Sequence, residues 1–192
     1  MATTIATSGC EPMPQEDEAA LVARARHDPA ALAALYRANY AAIHGYVHRR
    51  VGCQADADEL VAEAFLAMVR YLPRYRHRGA PFRAWLYRLA TTQIGRWARS
   101  RRRWATARLE ELAAAERRDE AEVSEDAERV RTALLVLPEH YQAVLALHYL
   151  EELPVAEVAV VLGCRVGTVK SRLSRGREAL RRLLEPQETR NV

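Results

Sequence analysis

The sequence predicts an all-α fold made of two small helical domains joined by a linker. Three observations predict it. Ala, Leu, Val, Arg and Glu carry most of the 192 residues, and only 8 Gly and 8 Pro interrupt them. Such a mix of strong helix formers with few breakers favours helix throughout. Apolar residues recur at helical spacing in two long stretches. Between these stretches, residues 105–128 are rich in acids and poor in apolar side chains larger than Ala, the composition of a solvated linker.

Taken in order, residues 1–15 contain Thr, Ser and Pro without periodicity and are expected to form a disordered tail. Residues 16–104 form the first domain. Leu21, Leu32, Leu35, Tyr36, Ile43, Tyr46 and Val47 suit two helices, the second opened by Asp28-Pro29 and ended by Gly52. A third helix covers 56–71, with Val61, Phe65, Met68, Val69 and Leu72 as its apolar stripe and Pro73 as its stop. After a basic loop, Pro81 opens a long helix whose inner face carries Phe82, Trp85, Leu86, Leu89, Gln93 and Trp97.

The acidic linker follows, then a second domain over 129–186 and a short tail over 187–192. In the second domain Leu134, Leu135, Leu137, Val144, Leu145, Leu147 and Leu150 supply core. Pro138 and Pro154 each start a helix, Gly163 ends the second of these, and 166–168 opens the last.

Charge is segregated along the chain. The net charge is only +4, yet no Asp or Glu occurs between Glu63 and Glu110. That span holds Arg70, Arg74, Arg76, Arg78, Arg83, Arg88, Arg96, Arg99, Arg101, Arg102, Arg103 and Arg108. Guanidinium groups present planar forks to phosphates, and an acid-free run of them makes a positive field. Tyr75, Tyr87, Trp97 and Trp104 are interleaved and can stack on unpaired bases. For any one of these arginines a solvated helix face is the better reading; the run as a whole points to nucleic acid. Just upstream, Asp56, Asp58, Glu59 and Glu63 form an acidic stretch, with Asp56, Glu59 and Glu63 on one helix face. Asp56 and Asp58 suit a helix start for dipole reasons alone. Glu63 lies two turns in, and points to a protein partner beside the basic surface.

The most specific pattern lies in 153–173, a helix-turn-helix. Ala159 is small where two helices cross, and Gly163 permits a left-handed turn. Val158, Leu162, Val166, Val169 and Leu173 form the shared core. The last helix then offers Arg165, Thr168, Lys170, Ser171, Arg172, Arg175 and Arg177 to base edges and phosphates. Lys170 is the only lysine in the chain.

Other chemistry is sparse. Cys10, Cys53 and Cys164 are far apart and odd in number, so no disulfide framework is implied. Cys164, in the turn of the helix-turn-helix, is expected to be a small buried apolar group. His44 and His48 share a helix face, but no third ligand stands near them in sequence. No phosphate loop, nucleophile elbow or carboxylate pair occurs. Neither catalysis, nor a metal, nor a cofactor is expected. With no secretory pattern and no apolar run of bilayer length, the expected location is the cytoplasm, without membrane insertion.

These motifs, in this order, resemble the sigma factors of bacterial RNA polymerase, specifically the extracytoplasmic-function (ECF) group with two domains. Residues 56–66 resemble that family's polymerase-binding helix, 82–90 the start of its −10-reading helix, and Leu137-Pro138 with 163–177 its −35-reading domain. The resemblance implies that 16–104 is a region 2-like domain and 129–186 a region 4-like domain. It implies that Asp56, Asp58, Glu59 and Glu63 dock on the β′ clamp coiled coil. It implies −10 DNA contacts from Arg76, Arg78, Gly79, Arg88, Thr92, Arg96, Arg99 and Arg102, and −35 contacts from the residues of the last helix named above. Core RNA polymerase (β′ clamp and β flap) and promoter DNA, duplex and single-stranded, are the implied partners. An anti-sigma factor, which commonly controls relatives, is a candidate further partner. Thr92 stands where many relatives carry Asn, and Arg165 where many carry Pro. On the residues alone two other classes stay open: a conventional helix-turn-helix regulator that binds duplex DNA unaided, and a protein-interaction module on the same scaffold.

Overall fold

A computed structural model describes residues 15–77, 79–105 and 125–185; the side chains of 15–17, 102–105, 125 and 127–128 are not among those described. Every regular element among the described residues is helical. Residues 1–14 of the expected tail and most of the acidic linker lie outside the described residues, and α1 already begins at Gln15, the last residue assigned to that tail.

The first domain holds α1 (Gln15–Arg24), α2 (Pro29–Val51), α3 (Gln54–Tyr71) and α4 (Phe82–Ala105). Asp28 opens α2 as expected: its carboxylate accepts the Ala30 amide at 2.8 Å, with Pro29 in the first turn. Gly52 closes it at φ 77, donating its amide to the His48 carbonyl. Helix α3 is followed by a 3₁₀ turn, Leu72–Arg74, that contains Pro73. Helices α2, α3 and α4 pack around Leu35, Ile43, Tyr46, Val47, Leu60, Val61, Phe65, Met68, Phe82, Leu86 and Ile94, all buried. Burying each large side chain contributes about 1.5–3 kcal/mol.

The expected stripes are mostly inward. The exceptions lie at their edges. Val69 is 48% exposed and Tyr36 42% exposed, because no neighbouring helix covers that side of α2 and α3. Trp85, Leu89 and Trp97 are half-buried rather than central.

The second domain holds α5 (Glu125–Val136), α6 (Glu139–Leu145), α7 (Val155–Leu162) and α8 (Val166–Leu184). Helix α5 begins at Glu125, so its first turn takes in the end of the segment expected to be linker. Helix α6 continues into one π-helical turn, Ala146–Leu150, closed by the Glu151 amide on the Ala146 carbonyl at 3.0 Å. Pro154 precedes α7, and Gly163 ends it in the left-handed region at φ 62. Val144, Leu147, Leu153, Val158, Val161, Val169 and Leu173 form the core. Leu150 and Val166, expected inside, are 46% and 43% exposed: the π turn rotates Leu150 outward, and Val166 sits on the open first turn of α8. Cys164 is half-buried against the core.

Gly52 and Gly163, which end α2 and α7 at positive φ, differ in their surroundings. A Cβ on Gly163 would meet only Arg88 Nη2 at 3.9 Å, whereas one on Gly52 would meet Leu135 Cδ1 at 3.1 Å. Gly163→Ala should therefore cost about 1 kcal/mol from its backbone conformation alone. Gly52→Ala should cost more, because Leu135 must also move. Urea unfolding midpoints of the two variants check this; equal losses would show that Leu135 yields freely.

Candidate nucleic-acid interface

Helix α4 has a cationic outer face. Arg88, Thr92, Arg96 and Arg99 are all exposed, and no carboxylate pairs with any of the three arginines among the described residues. Arg96 reaches only Gln93 Oε1, at 3.5 Å. The Thr92 hydroxyl donates to the Arg88 carbonyl at 2.8 Å. Its single proton is thereby used inside the helix, and toward a ligand Thr92 is left as an acceptor. Arg101 departs from the expected pattern: it forms an ion pair with Asp56 at 2.9 Å and lies over the Trp97 ring at 5.1 Å. Arg78 and the side chains of Arg102, Arg103 and Trp104 are not among those described.

The loop before α4 is tied down by α1 and by aromatic packing. Arg26 Nη2 donates to the Tyr75 carbonyl at 2.7 Å. Glu18 accepts the Phe82 amide at 3.1 Å, satisfying an open donor at the start of α4. Tyr75, Phe82 and Trp85 form one ring cluster, with centroids 4.7 to 5.4 Å apart. Arg76 and Gly79 stand exposed beyond it, Gly79 at φ 78 with open space where a Cβ would stand.

The acids of α3 divide into two sets. Asp56 is half-buried against Arg101, and Asp58 contacts His44 and Gln54 at 3.0 Å each. Glu59 and Glu63 are exposed and carry no partner among the described residues. With exposed Leu66, 64% accessible, they make an acidic surface with an apolar centre. The rings of His44 and His48 stack 6.2 Å apart, and no group of metal-ligand spacing occurs among the described residues.

In the helix-turn-helix, α7 and α8 meet through Val158, Ala159, Val169 and Leu173. Helix α8 is polarised. Arg165, Lys170, Arg172 and Arg175, toward its N-terminal end, have no partner among the described residues. Toward its C-terminal end, Arg177 donates to the Tyr149 hydroxyl at 2.7 Å, and Glu178 accepts from both Arg181 and Arg182. These arginines hold the Glu178 carboxyl below its usual range, chiefly through their hydrogen bonds. Ser171 is exposed, its hydroxyl donating to the Thr168 carbonyl at 3.0 Å; Thr168 and Arg172 are half-buried rather than fully presented.

The contacts between the domains were not legible in the sequence. Helix α4 packs against α7. Arg83 of α4 pairs with Glu157 of α7 at 3.3 Å. Glu151 accepts from Arg49 of α2 and, at 2.7 Å, from the Tyr87 hydroxyl. Tyr87, expected as a stacking residue, is 4% exposed. Arg50, also nearly buried, donates to Gln142 and to the Tyr46 hydroxyl.

A helical domain with a free arginine face, next to an acidic surface and coupled to a helix-turn-helix, is the build of a multi-contact DNA-binding factor. The comparisons are specific. The sigma-70 region 2 model matches residues 35–104 and the sigma-70 region 4 model residues 127–180. The RNA polymerase sigma-H factor of Pseudomonas aeruginosa is 34% identical over 191 residues, covering 90% of this chain and 96% of that protein. The ECF sigma factor SigW of Bacillus subtilis is 30% identical, covering 74% and 82%. Among solved structures, CnrH in complex with the cytosolic domain of CnrY superposes with a TM-score of 0.69 at 26% identity, covering 88% of this chain and 98% of that one. The Bartonella quintana sigma factor RpoE, solved with the anti-sigma factor NepR, shares the fold at 21% identity and a TM-score of 0.63. The chain belongs to the ECF group of RNA polymerase sigma factors.

Burial and the neighbouring Glu151 carboxylate raise the Tyr87 hydroxyl far above the usual tyrosine range. A pKa raised in the folded state gives stability that is complete below the unfolded value of about 10 and is lost as pH rises above it. An alkaline tyrosinate titration of the folded protein should contain a late component that Tyr87→Phe removes. An unchanged alkaline end in Tyr87→Phe would show that the hydroxyl is not held against Glu151.

Proposed function

We propose that this protein binds core RNA polymerase and directs it to promoters, reading the −35 element with α8 and the −10 element with the outer face of α4, and assisting melting. It supplies no catalysis of its own and works where polymerase and chromosome meet, in the cytoplasm. The observation that carries this reading is the unpaired arginine face of α4 beside the unpaired acids of α3. Repulsion keeps polyanionic DNA from the acidic side, so Glu59 and Glu63 suit a protein while Arg88, Arg96 and Arg99 suit phosphates. A conventional repressor has no use for such an acidic docking surface. The boundaries 16–104 and 129–186 belong to the same proposal, as do the roles of Asp56 and Asp58, which brace the acidic surface through Arg101 and His44. A protein that restrains this factor is a further proposed partner, on the ground that CnrH is solved in a complex.

Run-off transcription with core polymerase, source-genome fragments and this protein tests the reading. Defined transcripts needing both proteins are expected; their absence, together with no retention on core polymerase, would refute it. Lys170→Ala should lower activity at some −35 sequences by about tenfold and leave others nearly intact, since base contacts discriminate by ~1–3 kcal/mol. Equal loss on every promoter would remove base reading from Lys170. Arg99→Ala should instead weaken DNA binding on all sequences and lower the salt slope by about 1. Glu63→Arg should abolish retention on core polymerase while leaving helix content unchanged; normal retention by the folded variant would move the docking surface elsewhere.

A further inference from the structure

The chain has 29 lysines and arginines, and all but Lys170 are arginine. The two side chains differ in chemistry as well as in shape. A guanidinium keeps its charge and does not act as a nucleophile in water. An ε-amine gives up a proton and then holds a lone pair that attacks electrophilic carbon. The arginines of both DNA-facing surfaces are therefore inert to acylation, and Lys170 is not.

The fold leaves this amine open to reagents. Lys170 is exposed in the second turn of α8, whereas Val169 before it and Leu173 after it are buried and fix the helix in the core. The turn before Lys170 is bare. Val166 is 43% exposed, and a Cβ on Gly167 would stand in open space. Helical side chains lean toward the preceding turn, so the lysine extends over this uncovered stretch.

No carboxylate holds the amine. The chain carries no acid between Glu157 and Glu178. Glu157 is engaged by Arg83 at 3.3 Å, and Glu178 by Arg181 and Arg182 at 3.1 and 3.0 Å. Arg165, Arg172 and Arg175 flank Lys170 and have no partner among the described residues. Unpaired cations gathered on one helix raise the local concentration of small anions. The field that suits DNA phosphates thus also suits an acyl donor that carries phosphate.

We propose that Lys170 is an acylation site, modified by an acyl phosphate, and that the acyl group weakens reading of the −35 element while leaving the fold and the outer face of α4 unchanged. In the step, the lone pair of the deprotonated Nζ attacks the carbonyl carbon of the donor. The bond from that carbon to the phosphate oxygen breaks, inorganic phosphate leaves with the electron pair, and the nitrogen loses a proton to water. Nothing is oxidised or reduced. The product is an amide: the charge is gone, and three N–H donors become one. Because Lys170 makes no contact that holds α8 in place, its neutralisation spares the helix-turn-helix. The switch rests on the reading of α8 as the −35-reading helix.

The test treats the full-length protein with acetyl phosphate, then assembles it on core polymerase. Fragment mass spectrometry should find one hydroxylamine-stable acetyl group on a side chain, at Lys170, and added salt should slow its formation by screening the donor. Run-off transcription then uses templates that share one −10 element and differ at −35. Templates that depend on Lys170 should lose about tenfold in transcript, as in Lys170→Ala, and the others should be nearly unaffected. The salt slope of promoter binding should fall by about 1. Helix content and retention on core polymerase should not change. Lys170→Arg, whatever its own promoter preference, should transcribe alike before and after treatment. Promoter DNA bound to the assembled polymerase should protect Lys170 from acetyl phosphate.

No acetyl group at Lys170 would overturn the site. Undiminished transcription by the acetylated protein, equal loss on every template, loss on treatment in Lys170→Arg, or acetylation at full rate in the promoter complex would each overturn the switch. If Lys170 is acetylated as stated but the untreated protein starts no transcript with core polymerase, the site stands and the assigned function fails.

Discussion

The absence of any carboxylate between Glu63 and Glu110 is the constraint on which the rest depends. A segment without acids cannot neutralise its own arginines through the usual pairs three or four residues apart. Each of its side-chain ion pairs must therefore reach a distant element. Arg101 finds Asp56 on α3 and Arg83 finds Glu157 on α7. Even the open amide of Phe82 is satisfied by Glu18 from α1. Among the arginines that find no such partner, Arg88, Arg96 and Arg99 remain on α4 as a positive surface. Packing and function thus draw on the same charge imbalance: what the neighbours do not neutralise is available to phosphate.

Helix α4 accommodates this by dividing its circumference in three. Phe82, Leu86, Ala90 and Ile94 recur at four-residue spacing and enter the core. Arg88, Thr92, Arg96 and Arg99 take the solvent side. The remaining strip holds Arg83, Tyr87 and Thr91, whose hydroxyl meets that of Tyr46 at 2.9 Å. This third strip is neither apolar enough to be core nor exposed enough to be surface. Polar groups so placed need partners, since a buried unpaired donor or acceptor costs about 1–3 kcal/mol. Glu151 and Glu157 of the second domain provide them, beside the apolar packing of α4 on α7.

Local backbone chemistry was legible in the sequence. Asp28, Pro29, Gly52, Pro73, Pro81, Pro138, Pro154 and Gly163 punctuate helices because capping, missing amides and positive φ act within a few residues. The helix-turn-helix and the unpaired face of α4 followed from spacing and charge for the same reason. Edges of the core were less legible. Periodicity tells which side of a helix is apolar, not how wide a strip its neighbours cover, so Tyr36, Val69, Leu150 and Val166 emerged exposed. Least legible were the roles of Arg49, Arg83, Tyr87 and Glu151. Their partners lie 64 to 102 residues away, and nothing in the local pattern marks a tyrosine that stacks on bases from one whose hydroxyl meets a remote carboxylate.

The same division appears in α8. Its C-terminal arginines are engaged by Glu178, Glu185 and Tyr149, whereas Arg165, Lys170, Arg172 and Arg175 are unpaired near the end where the helix dipole adds positive potential. Both domains therefore keep their unpaired cations on outward surfaces and commit others to contacts within the protein. Neither outward set is large, and each domain alone would bind DNA weakly. Linking them raises the effective concentration of the second contact once the first is made.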